Sequence, residues 1–349
     1  MSGGVDSSVA AALLVEQGYP VIGMMLSLWS EEGCEDENRC CTPDAMAQAR
    51  RVAAILGIPF YAVDGRERFR ASVVQDFLEG YHRGLTPNPC IVCNRSVRWG
   101  YLLEQARSAG AGYMATGHYA RLRQMPTGTV ELLRARDDHK DQSYVLSGLN
   151  QAQLAHTLLP LGEYTKPEVR ELAHKYQLPV AERPDSQDLC FLGQGDYRSF
   201  LARHMPEAVR PGPIVTRDGR VLGEHQGLAF YTIGQRKGLG VASALPLYVL
   251  QKDLEGNRLV IGAESELGQQ AMQVRAINWI AGEAPAESFV AEVKIRYKAA
   301  FAQATVFPLA GDRARVVLVE PARDITPGQL AVFYNGERVV GSGWIESSS

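Results

Sequence analysis

Sulfur offers the first candidates for chemistry. Cys90 and Cys93 stand in Thr86-Pro-Asn-Pro-Cys90-Ile-Val-Cys93-Asn94, a proline-rich turn by its composition. A CxxC pair suits a redox couple or two ligands of one metal; the blander reading is two incidental turn cysteines. Cys190 lies far along the chain, in Asp185-Ser-Gln-Asp-Leu-Cys190-Phe191. A lone cysteine beside Leu and Phe is more often plain core. Cys34, Cys40 and Cys41 sit in an acidic loop from Glu31 to Asp44. Carboxylates disfavour a neighbouring thiolate, so these should be poor nucleophiles in a solvated loop, with a structural metal as the minority reading. Six cysteines in 349 residues are too sparse for a disulfide framework and fit an intracellular, cytoplasmic protein.

Phosphate chemistry is written at the start. Ser2-Gly3-Gly4-Val5-Asp6-Ser7-Ser8 precedes a helical pattern (Val9, Ala10, Leu13, Leu14). Two glycines admit a close approach of backbone to ligand, and the helix N-terminus adds N–H donors and a positive dipole. The Gly-Lys-Ser/Thr of a Walker loop is missing. A serine-capped glycine turn is the plain alternative.

Other elements must position these residues. The first ~200 residues alternate strand-like and helix-like segments, implying a parallel α/β sheet. Strands are expected over 21–28, 58–63 and 111–116. Helices are expected from Pro43, capped by Thr42 and closed by Gly57, over 97–108, and over 166–177 behind Thr165. Past residue 205 the texture changes. Asp218-Gly219 marks a hairpin within 214–222. From about residue 270 the pattern is all strand (289–295, 303–307, 315–319), punctuated by Pro327-Gly328 and Asn335-Gly336, and reads as a small β-barrel. Ser347 to Ser349 read as a frayed end. The domain expectation is 1–204, 205–268 and 269–349. Apolar residues make up 46% and charged residues 21%, as in ordinary globular protein. No apolar run is long enough to span a membrane, and the N-terminus lacks the pattern of a signal peptide. The net charge of −3 gives no general attraction to nucleic acid, so an RNA partner needs local basic patches. Candidates are Arg236-Lys237 and the alternating Lys294, Arg296 and Lys298, which would share one strand face.

The opening string resembles the pyrophosphatase loop of enzymes that split ATP into AMP and pyrophosphate. In that superfamily a buried strand precedes the loop, so several more apolar residues are expected upstream. Taken in order, SGGVDSS, TPNPCIVCN, ATGHYA, KDQSY, DSQDLCF, GEHQGL, TIGQRKGLG and TPGQLAVFYNGE resemble the bacterial tRNA-specific 2-thiouridylase family along nearly the whole chain. The resemblance implies an α/β pyrophosphatase-loop domain, a small central α+β domain and a C-terminal β-barrel. It implies Mg-ATP as cofactor, wobble uridine 34 of tRNAs for Lys, Glu and Gln as target, and a cysteine desulfurase or relay protein as sulfur donor. Residue by residue, it implies that Ser2, Gly3, Gly4, Val5, Asp6, Ser7 and Ser8 hold ATP phosphates, and that Leu26 and Gly117 touch the nucleotide. Asn88 and Pro89 would face the target base with Cys90; His118, Lys140, Asp141, Gln142, Arg296, Tyr297 and Gln329 match tRNA contacts. Catalysis would fall to Cys190, as persulfide carrier, and Cys93, which would release the thiolated base and close a disulfide with Cys190.

At Cys90 the family's pattern has an aspartate. Cys90 is then either a second redox thiol or, with Cys93 and Cys190, a ligand of a [4Fe–4S] cluster; three converging thiolates suit such a cluster, which is the preferred reading. Two rival functions stay open. One is a different adenylating enzyme of amidotransferase type, which would leave the paired cysteines unexplained. The other is a non-catalytic tRNA- or cluster-binding protein.

Overall fold

The computed structural model describes residues 1–31, 42–184, 189–192 and 196–348; Cys34, Cys40, Cys41 and the run 185–188 lie outside them. The chain starts on its glycine loop and passes into α1 (Val5–Glu16). Small residues let α1 sink on nearly every side: Val5, Ser8, Val9, Ala10, Ala11, Ala12, Leu13 and Leu14 are all buried. β1 (Gly23–Ser27) follows, then α2 (Pro43–Ile55). The Thr42 hydroxyl accepts the Ala45 N–H at 3.0 Å, and Gly57 leaves α2 at φ +66°, the left-handed stop that glycine takes without strain. β2 (Phe60–Asp64) pairs parallel with β1, Gly23 opposite Phe60. A helix over 66–82 and a second over 89–108 then pack together. Each contains a wide π-helical stretch, Arg70–Val74 and Cys93–Leu102.

β3 (Met114–Ala115) is followed by the hairpin β4 (Arg121–Gln124) and β5 (Val130–Leu133). β6 (Thr157–Leu158) pairs parallel with β3. Among the described residues of this first part, the parallel strands form two separate pairs, β1–β2 and β3–β6. Two helices, Lys166–Lys175 and Tyr197–His204, complete this part. The Glu168 carboxylate accepts both the N–H and the hydroxyl of Thr165, which fixes the start of the first.

A four-stranded sheet comes next: β7 (Gly212–Val215), β8 (Val221–His225), β9 (Tyr248–Asp253) and β10 (Arg258–Gly262), in the order β8-β7-β10-β9. Its first hairpin turns at Gly219, φ +87°. The last six strands are β11 (Gln269–Trp279), β12 (Phe289–Lys294), β13 (Ala302–Leu309), β14 (Arg313–Ala322), β15 (Leu330–Asn335) and β16 (Arg338–Ser348). They close into a barrel because β11 pairs with both β14 and β16, which leaves it no free edge. The β4–β5 hairpin extends this sheet through β16.

Three sequence expectations need correction. The cysteine pair is not in a turn: Pro89 takes the first helical position, where its missing N–H costs nothing, so the helix begins eight residues before the expected Val97 and carries both Cys90 and Cys93. Ser347 and Ser348 are not frayed but pair with Gln273 and Met272. Lys294, Arg296 and Lys298 do not share a strand face, because β12 ends at Lys294 and the other two ride the bend that follows.

Candidate active site

The glycine loop is held from three sides. Gly3 has φ +71°, and a Cβ there would stand 2.3 Å from the Ala45 carbonyl oxygen. Gly117, just past β3, crosses the loop from the other side; its Cβ would stand 2.6 Å from the Asp6 carbonyl carbon and 2.7 Å from the Ser7 nitrogen. Neither position tolerates a side chain, so both glycines are required by close backbone approach. Within the loop, Ser7 Oγ accepts the Ser2 N–H at 3.0 Å, and the buried Ser8 hydroxyl donates to Gly4 O at 2.8 Å. Val5 is buried. Val5 and Ser8 therefore shape the loop from within, while Ser2 is exposed and Gly4 and Ser7 are half-buried.

Three side chains that the sequence reading missed complete this end. Lys166 Nζ and Tyr119 OH both donate to Asp6 Oδ1 at 2.7 Å. The Lys166 side chain is 10% exposed. Arg183 donates to Gly3 O at 3.1 Å and pairs with Asp44 at 2.9 Å. A signal for Lys166 existed. A lysine in the first turn of a helix opposes the helix dipole, so its place in Thr165-Lys166-Pro167 calls for an anion nearby. Tyr119 and Arg183 carried no comparable signal, being set by tertiary approach alone.

The thiols lie on an apolar wall. Cys93 is 8% exposed and packs with Phe69, Val73, Phe77, Val97 and Phe191; Cys190 and Leu26 are half-buried against the same cluster. Leu26 stands near the carboxyl end of β1, the end at which open α/β sheets take ligands. Cys90 is exposed and stands close enough to Tyr297 that its charge contributes to raising the Tyr297 pKa, after burial and Asp141. Asn88 hydrogen-bonds Tyr144, whose ring lies 6.0 Å from Tyr297 and whose hydroxyl donates to Leu330 O at 2.9 Å. Pro89 is buried beneath.

The remaining sequence candidates divide between the interior and the rim. Asp141 is buried, accepting the N–H groups of Ala135 and Ser143 and the Ser143 hydroxyl at 2.9–3.1 Å, so it braces its loop. Gln142 exchanges two hydrogen bonds with the Tyr119 backbone, at 2.7 and 2.9 Å, linking this loop to Asp6. Lys140 is half-buried, its N–H held by Asp137, which also accepts Lys166 N–H. His118 shares a 2.9 Å hydrogen bond with Thr116. Burial, and then the charge of Arg98, push its pKa down to about 3, so the ring is neutral at pH 7. Gln329 donates to Thr86 O at 2.9 Å, tying the barrel to the Thr86–Asn94 segment. Arg296 lies apart, paired with Asp324.

Among the described residues no group of three His, Cys, Asp or Glu side chains is placed to hold a metal ion, and Cys90, Cys93 and Cys190 differ in exposure from open to buried. The arrangement lends no support to a cluster on these three residues.

A glycine loop at a helix N-terminus, backed by a buried lysine, defines an α/β unit suited to hold phosphate groups, with two β units appended. Comparison with known proteins gives the family. Residues 1–194 match the tRNA methyl transferase HUP domain, 198–263 the tRNA methyl transferase PRC-barrel domain and 269–345 the aminomethyltransferase beta-barrel domain. The tRNA-specific 2-thiouridylase MnmA of Moorella thermoacetica is 51% identical over 99% of this chain and 98% of its own. Those of Carboxydothermus hydrogenoformans and Magnetococcus marinus are 49% and 46% identical, over 99% of this chain and 96–97% of theirs. The chain belongs to the tRNA-specific 2-thiouridylase family. No helix among the described residues is long and apolar enough to cross a membrane.

Proposed function

We propose that this enzyme uses Mg-ATP to replace the C2 oxygen of a tRNA uridine by sulfur, at wobble position 34 of the tRNAs for Lys, Glu and Gln. The observation that carries the proposal is the shared wall: Leu26, at the nucleotide end of β1, packs on the same cluster as Cys93 and Cys190. A carbonyl oxygen is a poor leaving group. In the first step the uridine O2 attacks the α-phosphorus of ATP, and pyrophosphate leaves. The loop N–H groups, Ser2 and Ser7 hold the departing phosphates, while Lys166 and Asp6 set the charge balance beneath them. Mg²⁺ supplies charge neutralisation on those phosphates when bound.

In the second step a persulfide on Cys190, loaded by a desulfurase or relay protein, attacks C2, and AMP leaves. The Cys93 thiolate then attacks the Cys190 sulfur of the perthio adduct. The C2-bound sulfur departs with its electron pair as 2-thiouridine, and a Cys93–Cys190 disulfide forms. An external thiol reductant returns both cysteines. Asn88, Pro89 and Cys90 would line the base; His118, Lys140, Gln142, Tyr297 and Gln329 would surround it, Asp141 acting from beneath. In this reading residues 1–204 carry the chemistry, and 205–268 and 269–349 hold the RNA.

The test is nucleoside mass spectrometry of unmodified lysine tRNA after incubation with the anaerobically purified enzyme, Mg-ATP and a persulfide donor. The expected result is 2-thiouridine that requires ATP, Cys93 and Cys190. Iron and acid-labile sulfide are measured on the same preparation. Absence of both agrees with the thiol route; stoichiometric iron and sulfide lost together in Cys90→Ala would replace it with the cluster. RNA binding without any thiouridine, with either sulfur source, would leave a binding protein.

A further inference from the structure

The middle sheet and the barrel meet at one buried carboxylate. Asp324 is 8% exposed. It accepts from Arg296 Nη2 on one oxygen and from Arg323 Nε at 3.1 Å on the other. Gly234, in the turn that carries Arg236 and Lys237, presses on the same group: φ is +82°, and a Cβ there would stand 2.5 Å from Asp324 Oδ1. Arg323 reaches back across the seam. Its Nη1 lies 2.6 Å from Glu264 Oε1, and its guanidinium stands 5.6 Å from the ring of Tyr248 on β9. One side chain thus orders two barrel arginines and the basic turn of the neighbouring unit.

The arginines are presented outward. Their side chains are 48% and 47% exposed, for Arg296 and Arg323, although the carboxylate between them is covered. Arg236 and residues 238–247 line an open surface depression of about 640 Å³. Guanidiniums fixed at spaced positions on an open surface suit successive phosphates of a polynucleotide, since each contact releases condensed counterions. An arginine guanidinium can serve a carboxylate with one edge and a phosphate with another.

We propose that Asp324 is a positioning residue for RNA binding: it fixes Arg296, Arg323 and the 234–237 turn as one phosphate-binding seam between the middle unit and the barrel. The proposal rests on the reading above that the chain acts on tRNA. Its sign opposes simple electrostatics. Asp324→Asn removes a negative charge, and by charge alone it should bind RNA more tightly. If Asp324 positions the arginines, the variant binds more weakly.

The experiment measures dissociation constants for unmodified lysine tRNA from about 50 to 200 mM salt, where phosphate contacts are read as a slope. It compares the full-length wild type with Asp324→Asn, Asp324→Glu, Arg296→Ala with Arg323→Ala, and all three changes Asp324→Asn, Arg296→Ala and Arg323→Ala together. We expect Asp324→Asn to weaken binding about tenfold at the lower salt and to flatten the slope by roughly one to two contacts. Asp324→Glu should restore part of both. Adding Asp324→Asn to the double arginine variant should weaken binding no further. A purely structural role would lower the unfolding temperature and leave the slope intact. Unchanged or tighter binding by Asp324→Asn overturns the proposal. If Asp324→Asn does not fold, the exposed-arginine pair decides: a wild-type slope in Arg296→Ala with Arg323→Ala overturns it. Wild-type protein that shows no salt-dependent tRNA binding fails the underlying functional reading instead.

Discussion

Gly117 and Lys166 make the proposed ATP end of the site testable one residue at a time. A methyl group at Gly117 would have to displace the Asp6–Ser7 peptide, and a misplacement of about 1 Å at a reacting centre costs on the order of 100-fold. Gly117→Ala should therefore lower kcat/KM for ATP by about that factor and, because the clash is with backbone, lower Tm as well. Lys166→Met leaves the Asp6 carboxylate with only Tyr119 of its two described side-chain donors. Loss of a charged hydrogen bond, about 1.5–3 kcal/mol, predicts a tenfold to hundredfold rise in KM for ATP, partly recovered by Lys166→Arg. An unchanged KM in Lys166→Met would remove that residue from the phosphate site.

His118 carries a pH prediction at the same scale. Its folded pKa, about 3, lies below the ordinary 6.5. The unfolded chain takes up a proton that the folded one refuses, so stability falls as pH drops from about 6.5 toward 3. Thermal unfolding of His118→Asn across that range should show a shallower fall than wild type. A steeper or equal fall would contradict the buried neutral ring. Because the ring is already neutral at pH 7, tRNA affinity should show no step near pH 6.5 arising from His118.

At the scale of elements, the helix over 89–108 matters most, since it places Cys90 toward solvent and Cys93 on the apolar wall. Spacing of three along a helix puts residues about 300° around the axis, on adjoining rather than opposite faces; burial, not spacing, separates the two thiols. This is where sequence reading reached its limit. The Thr42-Pro43 start, the Asp218-Gly219 hairpin and the barrel's turn glycines are local signals, and the structure contains each. Pro87 and Pro89 spoke for a turn as loudly as for a helix start, because proline serves both. The strand at Lys294 ends where Arg296 turns to Asp324, a partner 28 residues away that no periodicity reveals.

One element carries a stability prediction. Lys252 on β9 has a buried Nζ with no hydrogen-bond partner among the described residues, and burial pushes its pKa down to about 8. The charged form is disfavoured in the fold relative to the unfolded chain, whose lysine titrates near 10.5. Its penalty grows as pH falls from about 10.5 to 8 and is complete below. Lys252→Met should raise Tm, by a margin that widens over that window. A lower Tm at pH 7 would mean that the ammonium holds a partner the fold requires.

The molecule as a whole is joined by shared cores. One cluster combines Ile91, Trp99, Leu132 and Tyr144 with Leu330, Val332, Tyr334 and Val339 of the barrel. Another combines Cys93, Phe77 and Phe191 with Ile214, Val249 and Leu259 of the middle sheet. Apolar surface buried between units is as stabilising as any other, at about 25 cal/mol per Å². Removing residues 269–349 should therefore uncover part of the catalytic core and give an insoluble or dye-binding product, and the intact chain should melt in one calorimetric transition. Two well-separated transitions would mean that the barrel is an independent appendage. The sequence motifs were already spread across all three units, yet only the tertiary contacts, Gln329 on Thr86 and Tyr144 on Leu330, show why: segments far apart in the chain close around Asn88 and Cys90.

The most direct test of the central claim counts pyrophosphate, AMP and 2-thiouridine in one reaction, with wild type and Cys190→Ala side by side. The account predicts one AMP and one pyrophosphate per thiouridine for wild type, and for Cys190→Ala tRNA-dependent pyrophosphate release without thiouridine. Thiouridine formed without ATP cleavage, or formed at the wild-type rate by Cys190→Ala, would contradict it.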